Sequence, residues 1–398
     1  MKPKKIKIKA KDVAFARIKV LGIGGAGCNA VSRMQNDVPR GVELIAINTD
    51  VQDIHYCSVK KKIYIGRSLT RGLGTGMNPD LGHQAAEENR SDITDAIKDA
   101  DMIFITAGFG GGTGTGAAPV VAEIAKELGI LTVAIVTKPF SFEGGQRARI
   151  AEEGLIRIRD RVDTLVTVPN DRVFSIINKD TSVLKAFEEV DRVLRDSVKG
   201  ISELILIPGI INIDFADIKS ILRDAGSAMV GIGVASGQGR ALKAADFAIN
   251  SPLLEISIEG AKGILFSISG RNDMKMSEIN EIAQKISEHV DSSAKIIFGT
   301  YFDRKINKGQ IKVTLIAAGF TNILLKERFI SNVFTSNDEA TADAVHLPFV
   351  KEEKQSKVDK ELKEIKKEGK KIHLEIKNEE DEREKEWEIP AFLRRKRR

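Results

Sequence analysis

Residues 108–116, Gly-Phe-Gly-Gly-Gly-Thr-Gly-Thr-Gly, constrain this chain more than any other stretch. Six of the nine are glycine, and threonines are interleaved among them. The apolar run Met102 to Ala107 before the stretch reads as a buried strand. Ala117 to Ile124 after it reads as a helix with Pro119 near its first turn. A strand, a glycine loop and a helix start make an anion site. Backbone N–H groups point outward, the helix dipole favours negative charge, and glycine lets a phosphate approach the main chain. A merely flexible loop is the alternative, but flexible loops rarely join a strand to a helix in this way. The stretch holds no lysine, and the chain has no G-x-x-x-x-G-K-S/T. Phosphate charge would then be met by amides, the Thr113 and Thr115 hydroxyls, the dipole and a bound metal ion.

The 398 residues suffice for two domains and a tail, and 42% apolar content is ordinary for a globular protein. No apolar run approaches the ~18 to 20 residues that a membrane span needs. The Lys-rich start is not followed by the apolar core of an export signal, so the expected location is cytoplasmic. Two cysteines, Cys28 and Cys57, are too few for a disulfide framework or a metal cluster. The net charge of +6 is misleading. Residues 1–11 carry six lysines and no acid, and residues 387–398 carry five basic side chains and one acid. The remainder is slightly acidic, which argues against a nucleic-acid groove.

Taken in order, Lys2 to Lys11 form a basic arm. Ala16 to Leu21 read as a strand, followed by Gly22-Ile23-Gly24-Gly25-Ala26-Gly27-Cys28-Asn29, which contains the G-x-G-x-x-G dinucleotide fingerprint. Glu43 to Asn48 is a second strand, and Asp50 after it stands where a ribose contact would lie. A nicotinamide-dependent oxidoreductase is therefore the rival reading. It leaves the richer loop at 108–116 without a purpose. Gly72 to Gly76 form a third glycine-bearing loop, followed by a polar helix over roughly Leu81 to Asp99. Leu131 to Val136 and Thr164 to Val168 are further strands. Alternating strands and helices predict an α/β open parallel sheet with glycine loops at its carboxyl edge.

Apolar residues at three- and four-residue steps predict one helix from Ser182 to Leu206, stopped by Pro208-Gly209. At ~1.5 Å per residue it is long enough to be a strut between two domains. Ser227 to Ala235, Gly263 to Ser269, Ala294 to Thr300 and Gln310 to Ala318 read as strands. Gly237 to Asn250 and Ser277 to Val290 read as helices, giving a smaller α+β domain. Residues 351–386 hold 25 charged side chains in 36, the composition of a solvated linker. The apolar peptide Trp387 to Leu393, followed by five basic residues, looks like a docking motif.

The opening GIGGAGCNAV, the loop GFGGGTGTGAAP, TKPFSFEG, VPNDRVF, GIINIDFADIK and the terminal EIPAFLRR together resemble FtsZ, the bacterial tubulin-like cell-division GTPase family. The likeness runs from about residue 14 to 320 and resumes in the last dozen residues. It implies a Rossmann-type GTPase domain at 14–181, a central helix at 182–207 and an α+β C-terminal domain at 208–325. An aspartate loop would occupy 208–219. A disordered arm at 1–13, a disordered linker at 326–386 and a partner-binding peptide at 387–398 complete the plan. By the same resemblance, GTP or GDP is held by Gly25, Ala26, Gly27, Cys28 and Asn29, by Gly112, Thr113 and Gly114, and by Gly74 and Gly76 closing over the γ-phosphate end. Mg2+ is bound mainly through phosphates, with no metal ligand assigned to a protein side chain. Cys28 stands where many relatives have glycine, its side chain must point away from the phosphates, and no redox role is implied.

The resemblance also places Glu143 and Arg147 at the ribose or phosphates. Spacing alone reads them as an i,i+4 ion pair. Asn170, Phe187 and Asp191 would read guanine, although Phe187 by itself reads as a core residue. A carboxylate at 191 accepts from the ring N–H and the exocyclic amine of guanine, a donor pair that adenine lacks. Asp214 and Asp217, with Asn212 beside them, would orient a water for hydrolysis. Spacing alone makes Asp214 an N-cap and Asp217 a dipole partner. The resemblance implies that this loop acts in trans, in the pocket of the next subunit of a head-to-tail filament, the division ring on the inner face of the membrane. Ile389, Pro390, Phe392, Leu393 and Arg394 would bind membrane anchors of the FtsA or ZipA kind. A GTP-binding scaffold without turnover remains the third possibility.

Overall fold

The computed structural model describes residues 16–320 except 176, 178, 179, 253, 255 and 256. The expected arm at 1–13, linker at 326–386 and peptide at 387–398, with Ile389, Pro390, Phe392, Leu393 and Arg394, lie outside the described residues.

The first half of the described chain runs β1 (Ile18–Ile23), α1 (Gly24–Met34), β2 (Val42–Asn48), α2 (Val51–Tyr56), β3 (Lys61–Tyr64), α3 (Arg67–Thr70), α4 (Pro79–Glu88), α5 (Arg90–Ile97), β4 (Met102–Gly108), α6 (Thr113–Glu127), β5 (Leu131–Lys138), α7 (Gly145–Arg159) and β6 (Thr164–Pro169). The second half runs α8 (Val183–Leu206), α9 (Phe215–Leu222), β7 (Gly226–Ser236), α10 (Arg240–Ile249), β8 (Gly263–Gly270), α11 (Met276–Ser287), β9 (Lys295–Phe302) and β10 (Gln310–Ala318). All ten strands form a single sheet in the order β3-β2-β1-β4-β5-β6-β7-β10-β8-β9.

The central strands β1, β4 and β5 are buried along nearly their whole length because helices cover both faces. Alternate side chains go to opposite sides. Ile18 and Val20 of β1, with Met102 and Phe104 of β4, join the core under α1 and α8. Leu21 and Ile23, with Ile103 and Ile105, join the core under α6. β1 pairs in parallel with β2 on one side and β4 on the other, so the strand order reverses between β1 and β4. A crevice opens at the carboxyl ends of strands at such a reversal, which is where α/β sheets take ligands.

Two elements differ from the sequence expectation. α6 begins at Thr113, so the second half of the glycine stretch is helix and Pro119 lies inside it rather than in its first turn. Pro119 lacks only one N–H, and its buried surroundings hold the helix around it. The single polar helix expected over 81–99 is two, broken at Asn89. The Asn89 side chain accepts from the Gly66 amide at 2.9 Å and donates to the Asp92 carboxylate at 2.8 Å, so it serves the neighbouring loop instead of continuing the helix.

The two expected domains share the sheet. β6 pairs in parallel with β7 over Thr164 to Val166 and Gly226 to Ala228. α8 packs across the junction, with Val193, Leu194, Val198 and Ile201 buried. Its charged side chains are tied to the second half of the sheet. Lys199 pairs with Asp303 at 2.8 Å, Asp196 pairs with Lys312 at 2.9 Å, and the Tyr301 hydroxyl donates to Glu203. The strut is thus fixed along its length, which sets the distance between whatever lies at its two ends.

Candidate active site

Two helix starts face each other at the strand reversal. α1 follows β1 without a side-chain cap and with no acid in its first turn, and α6 follows β4 in the same way. Both helices therefore present free N–H groups and the positive ends of their dipoles to one space. They can approach because the contact residues are glycine. Gly24 sits at φ 72°, and a Cβ there would come within 2.8 Å of the Gly114 nitrogen. A Cβ on Gly112 would come within 2.1 Å of the Thr75 hydroxyl. Threonines brace the floor. Thr113 shares hydrogen bonds with the hydroxyls of Thr49 at 2.7 Å and Thr75 at 3.1 Å. Thr115 takes the Gly110 amide at 3.0 Å and is buried, so it orders the loop instead of meeting an anion.

The cavity above this floor has a volume of about 330 Å³. Gly25, Ala26, Gly112, Thr113, Gly114, Glu143, Arg147, Asn170 and Phe187 are among its walls. Gly27, Cys28, Asn29, Gly74, Gly76 and Asp191 are not. Gly27 is a packing glycine, since a Cβ there would lie 2.5 Å from the Thr106 carbonyl of β4. The loop before α4 turns Thr75, rather than Gly74 or Gly76, into the cavity. Thr75 was missed in the sequence because glycines drew the attention. Its signal was a threonine between two of them. Cavities of about 450 and 490 Å³ occur elsewhere, so volume does not single this one out. The two uncapped helix starts do.

The side walls carry chemistry for the rest of a ligand. Arg147 pairs with Glu143 at 3.3 Å, as the spacing predicted, and both also line the cavity. The Asn170 side-chain oxygen is buried with no hydrogen-bond partner among the described residues, a cost that a ligand donor removes. Phe187 is 40% exposed, so it is not the core residue that its spacing alone suggested. Its ring stands perpendicular to that of Phe140, with centroids 5.3 Å apart, and it lines the cavity. One turn further along α8, Asp191 meets Arg33 of α1 at 2.5 Å. Burial pushes the Asp191 carboxyl up to about 6, and the Arg33 contact only partly offsets it. Arg33 is a residue that sequence reasoning missed, because the pair joins positions far apart in the chain.

Asp50 does not sit where the rival reading needed it. Its carboxylate accepts the amides of Gln52 at 2.8 Å and Asp53 at 3.2 Å and so caps α2.

Asn212, Asp214 and Asp217 are all exposed and none lines the cavity. Asn212 accepts the Gly209 amide at 2.6 Å and shapes the loop. Asp214 occupies the N-cap position of α9, but its side chain makes no capping hydrogen bond. Asp217 lies in the first turn. Among the described residues neither carboxylate is paired with a cation. Phe187 and Leu206 bracket most of α8, roughly 29 Å at 1.5 Å per residue. The cradle and the acids lie at opposite ends of the strut.

The sequence matches the Tubulin/FtsZ family, GTPase domain, over residues 17–178 and the FtsZ family, C-terminal domain, over residues 226–321. The structure is similar to that of an FtsZ dimer from M. jannaschii, with 45% sequence identity and a TM-score of 0.74. The match covers 77% of this chain and 89% of that one. A point mutant of M. jannaschii FtsZ matches at the same identity and TM-score, over 77% of this chain and 92% of that one. CetZ1 from Haloferax volcanii, solved as a GDP-bound monomer, shares the fold at 22% identity with a TM-score of 0.67, over 80% and 99% of the two chains.

Proposed function

The chain belongs to the FtsZ family of tubulin-like GTPases, and from that premise we propose that it assembles head to tail into a filament that hydrolyses GTP between subunits. The observation that carries this reading is the distance between the cradle and the free carboxylates. One subunit cannot bring them together across α8, whereas a second copy stacked end to end can. A repeated contact of that kind does not close and makes an open polymer. The FtsZ of M. jannaschii is itself solved as a dimer.

In this reading the α1 and α6 starts hold the phosphates, with Gly25, Ala26, Gly112, Thr113 and Gly114 supplying the main-chain surface. Gly27, Cys28 and Asn29 complete the first turn of α1, and Gly74 and Gly76 let the Thr75 loop bend over the outer phosphate. Arg147 and Glu143 reach the ribose side. Phe187 stacks on the base, Asn170 takes a donor, and the Asp191 carboxylate accepts the guanine N–H pair once Arg33 yields it. Asp214 and Asp217 of the neighbouring copy orient the attacking water, with Asn212 holding their loop. Among the described residues no three His, Cys, Asp or Glu side chains could hold a metal ion. Mg2+ would be held mainly through the phosphates, whose charge it would help neutralise. The filament would serve the cell-division ring in the cytoplasm, held to the inner membrane face by FtsA-like or ZipA-like anchors on the peptide at 389–394. No helix among the described residues is long and apolar enough to cross a membrane.

GTP turnover per subunit is expected to fall toward zero as the protein is diluted below its assembly concentration. Constant turnover through high dilution would contradict catalysis between copies.

The Asp191 carboxyl gives a pH dependence. It sits among Arg33, Arg195 and Glu188, with burial the dominant influence. Between its ordinary range near 4 and about 6, the folded protein keeps a proton that the unfolded chain has lost, so stability falls as pH rises through that window. Base recognition has the opposite sign, because only the ionised form accepts both guanine donors. Affinity for GTP is expected to drop as pH falls through about 6. Asp191→Asn should bind more weakly at neutral pH and lose that part of the pH response. Equilibrium binding from pH 5 to 8 checks it, with the variant as control for titration of the phosphate itself.

A further inference from the structure

The chain's two cysteines are 29 positions apart in sequence and touch in the fold. Cys28 lies in the first turns of α1, 1% exposed, with its sulfur 3.7 Å from the Gly22 carbonyl and 3.8 Å from that of Ile47. Cys57 immediately follows α2 and is 6% exposed. Its sulfur lies 3.6 Å from the Cys28 carbonyl and 3.0 Å from the Ser32 hydroxyl. The two thiols are near enough that each perturbs the ionisation of the other. Cys57 is buried but is flanked in sequence by Tyr56 at 83% exposure and an exposed Ser58. Core packing alone would be served by alanine or valine at either position and gives no reason for two sulfurs in contact.

We propose that Cys28 and Cys57 form a dithiol that a hydroperoxide closes to a disulfide, and that closure weakens nucleotide binding at the adjoining cradle. The division of labour follows from the contacts. Cys57 is the less buried of the two, and the Ser32 hydroxyl 3.0 Å from its sulfur can donate to a thiolate there. The neighbouring thiol and Ser32 draw the Cys57 thiol down, while its surroundings push the Cys28 thiol up, so Cys57 is the thiolate that attacks. Its sulfur takes one peroxide oxygen, the O–O bond breaks, and the other oxygen leaves as water or alcohol with the proton given up by Cys57. The Cys28 sulfur then attacks the sulfenic sulfur of Cys57. The S–S bond forms, the S–O bond breaks, and the hydroxyl leaves as water with the Cys28 proton. Two electrons pass from the sulfurs to the peroxide.

A disulfide holds its sulfurs about 2.05 Å apart, far inside any hydrogen-bonded separation of two thiols. Closure therefore draws the first turns of α1 and the end of α2 together. Cys28 belongs to the same turn as Gly25 and Ala26, which line the cavity. The amides of that turn lose their aim at the phosphates, and a drop of at least tenfold in GTP affinity is expected.

The effect on binding rests on the guanine-nucleotide reading above, but disulfide formation does not, so the two are read separately. The full chain is treated with hydrogen peroxide, its intact mass and linked peptides are measured, and GTP binding is followed before oxidation, after it and after dithiothreitol. The expected result is the loss of two hydrogens, a peptide joining Cys28 to Cys57, weakened binding, and recovery on reduction. Cys57→Ser should bind GTP normally and lose both responses. Oxidation confined to sulfenic or higher acids, no oxidation at all, or a disulfide with unchanged GTP affinity would overturn the proposal. Failure of the reduced wild-type chain to bind GTP would count against the nucleotide reading instead, and the linked peptide would still decide whether the dithiol closes.

Discussion

Asp217→Ala is expected to lower GTP turnover by about 10²- to 10⁴-fold, the range for a positioned acid or base, and to leave GTP affinity unchanged. The side chain is exposed and unpaired among the described residues, so its removal breaks no contact that holds the fold. The backbone around it stays tied, since the Asp217 amide donates to the Asp214 carbonyl at 3.0 Å. What is lost to stability is a favourable charge near a helix start, about 0.3–1 kcal/mol at most. A purely structural acid would therefore produce a small shift in melting and no change in turnover. Asp214→Ala should behave alike, and with little stability cost, because its side chain makes no capping hydrogen bond. Phosphate release at saturating GTP, beside equilibrium binding of a fluorescent analogue, separates the two effects. Joint loss of binding and turnover would return both acids to a structural role.

Gly112→Ala is expected to do the opposite, strongly weakening binding while leaving the acid loop intact. The new Cβ would lie 2.1 Å from the Thr75 hydroxyl and 2.8 Å from main-chain atoms of Asn78. The Thr75 loop must then move, and with it the hydroxyl chain from Thr75 through Thr113 to Thr49. Gly112 has ordinary negative φ, so the cost is space alone and not backbone strain. Losing two charge-assisted hydrogen bonds to phosphate, at about 1.5 kcal/mol or more each, weakens GTP by on the order of 100-fold. Binding measured on protein with an unchanged far-ultraviolet circular dichroism spectrum makes the test specific.

Much of this was legible in the sequence because the informative residues are local. Strands β1, β4 and β5 announce themselves as predominantly apolar runs, and α8 as a three- and four-residue rhythm. The glycine loops mark both helix starts at the cradle, since close main-chain approach leaves few other residues possible. What could not be read depends on partners distant in sequence. The split at Asn89 is set by a bond to Gly66, the start of α6 by a loop that curls into the helix, and the pairing of Asp191 by Arg33 from another element. Asp50 looked like a ribose ligand because a strand end followed by an acid is ambiguous. Only its bonds to Gln52 and Asp53 resolve it as a cap. The contact of Cys28 with Cys57 left no trace in local pattern at all. Short, polar elements such as α2 and β3 also escaped, since neither carries a long apolar period.

Mixing the two crippled variants tests the central claim most directly. Gly112→Ala retains the acids without a working cradle, and Asp217→Ala retains the cradle without the acid. If catalysis joins the cradle of one copy to the acids of the next, the mixture should hydrolyse GTP well above the sum of the two variants measured apart, rising with total protein. A mixture that never exceeds that sum, in protein shown by light scattering to co-assemble, would contradict a site built from two copies.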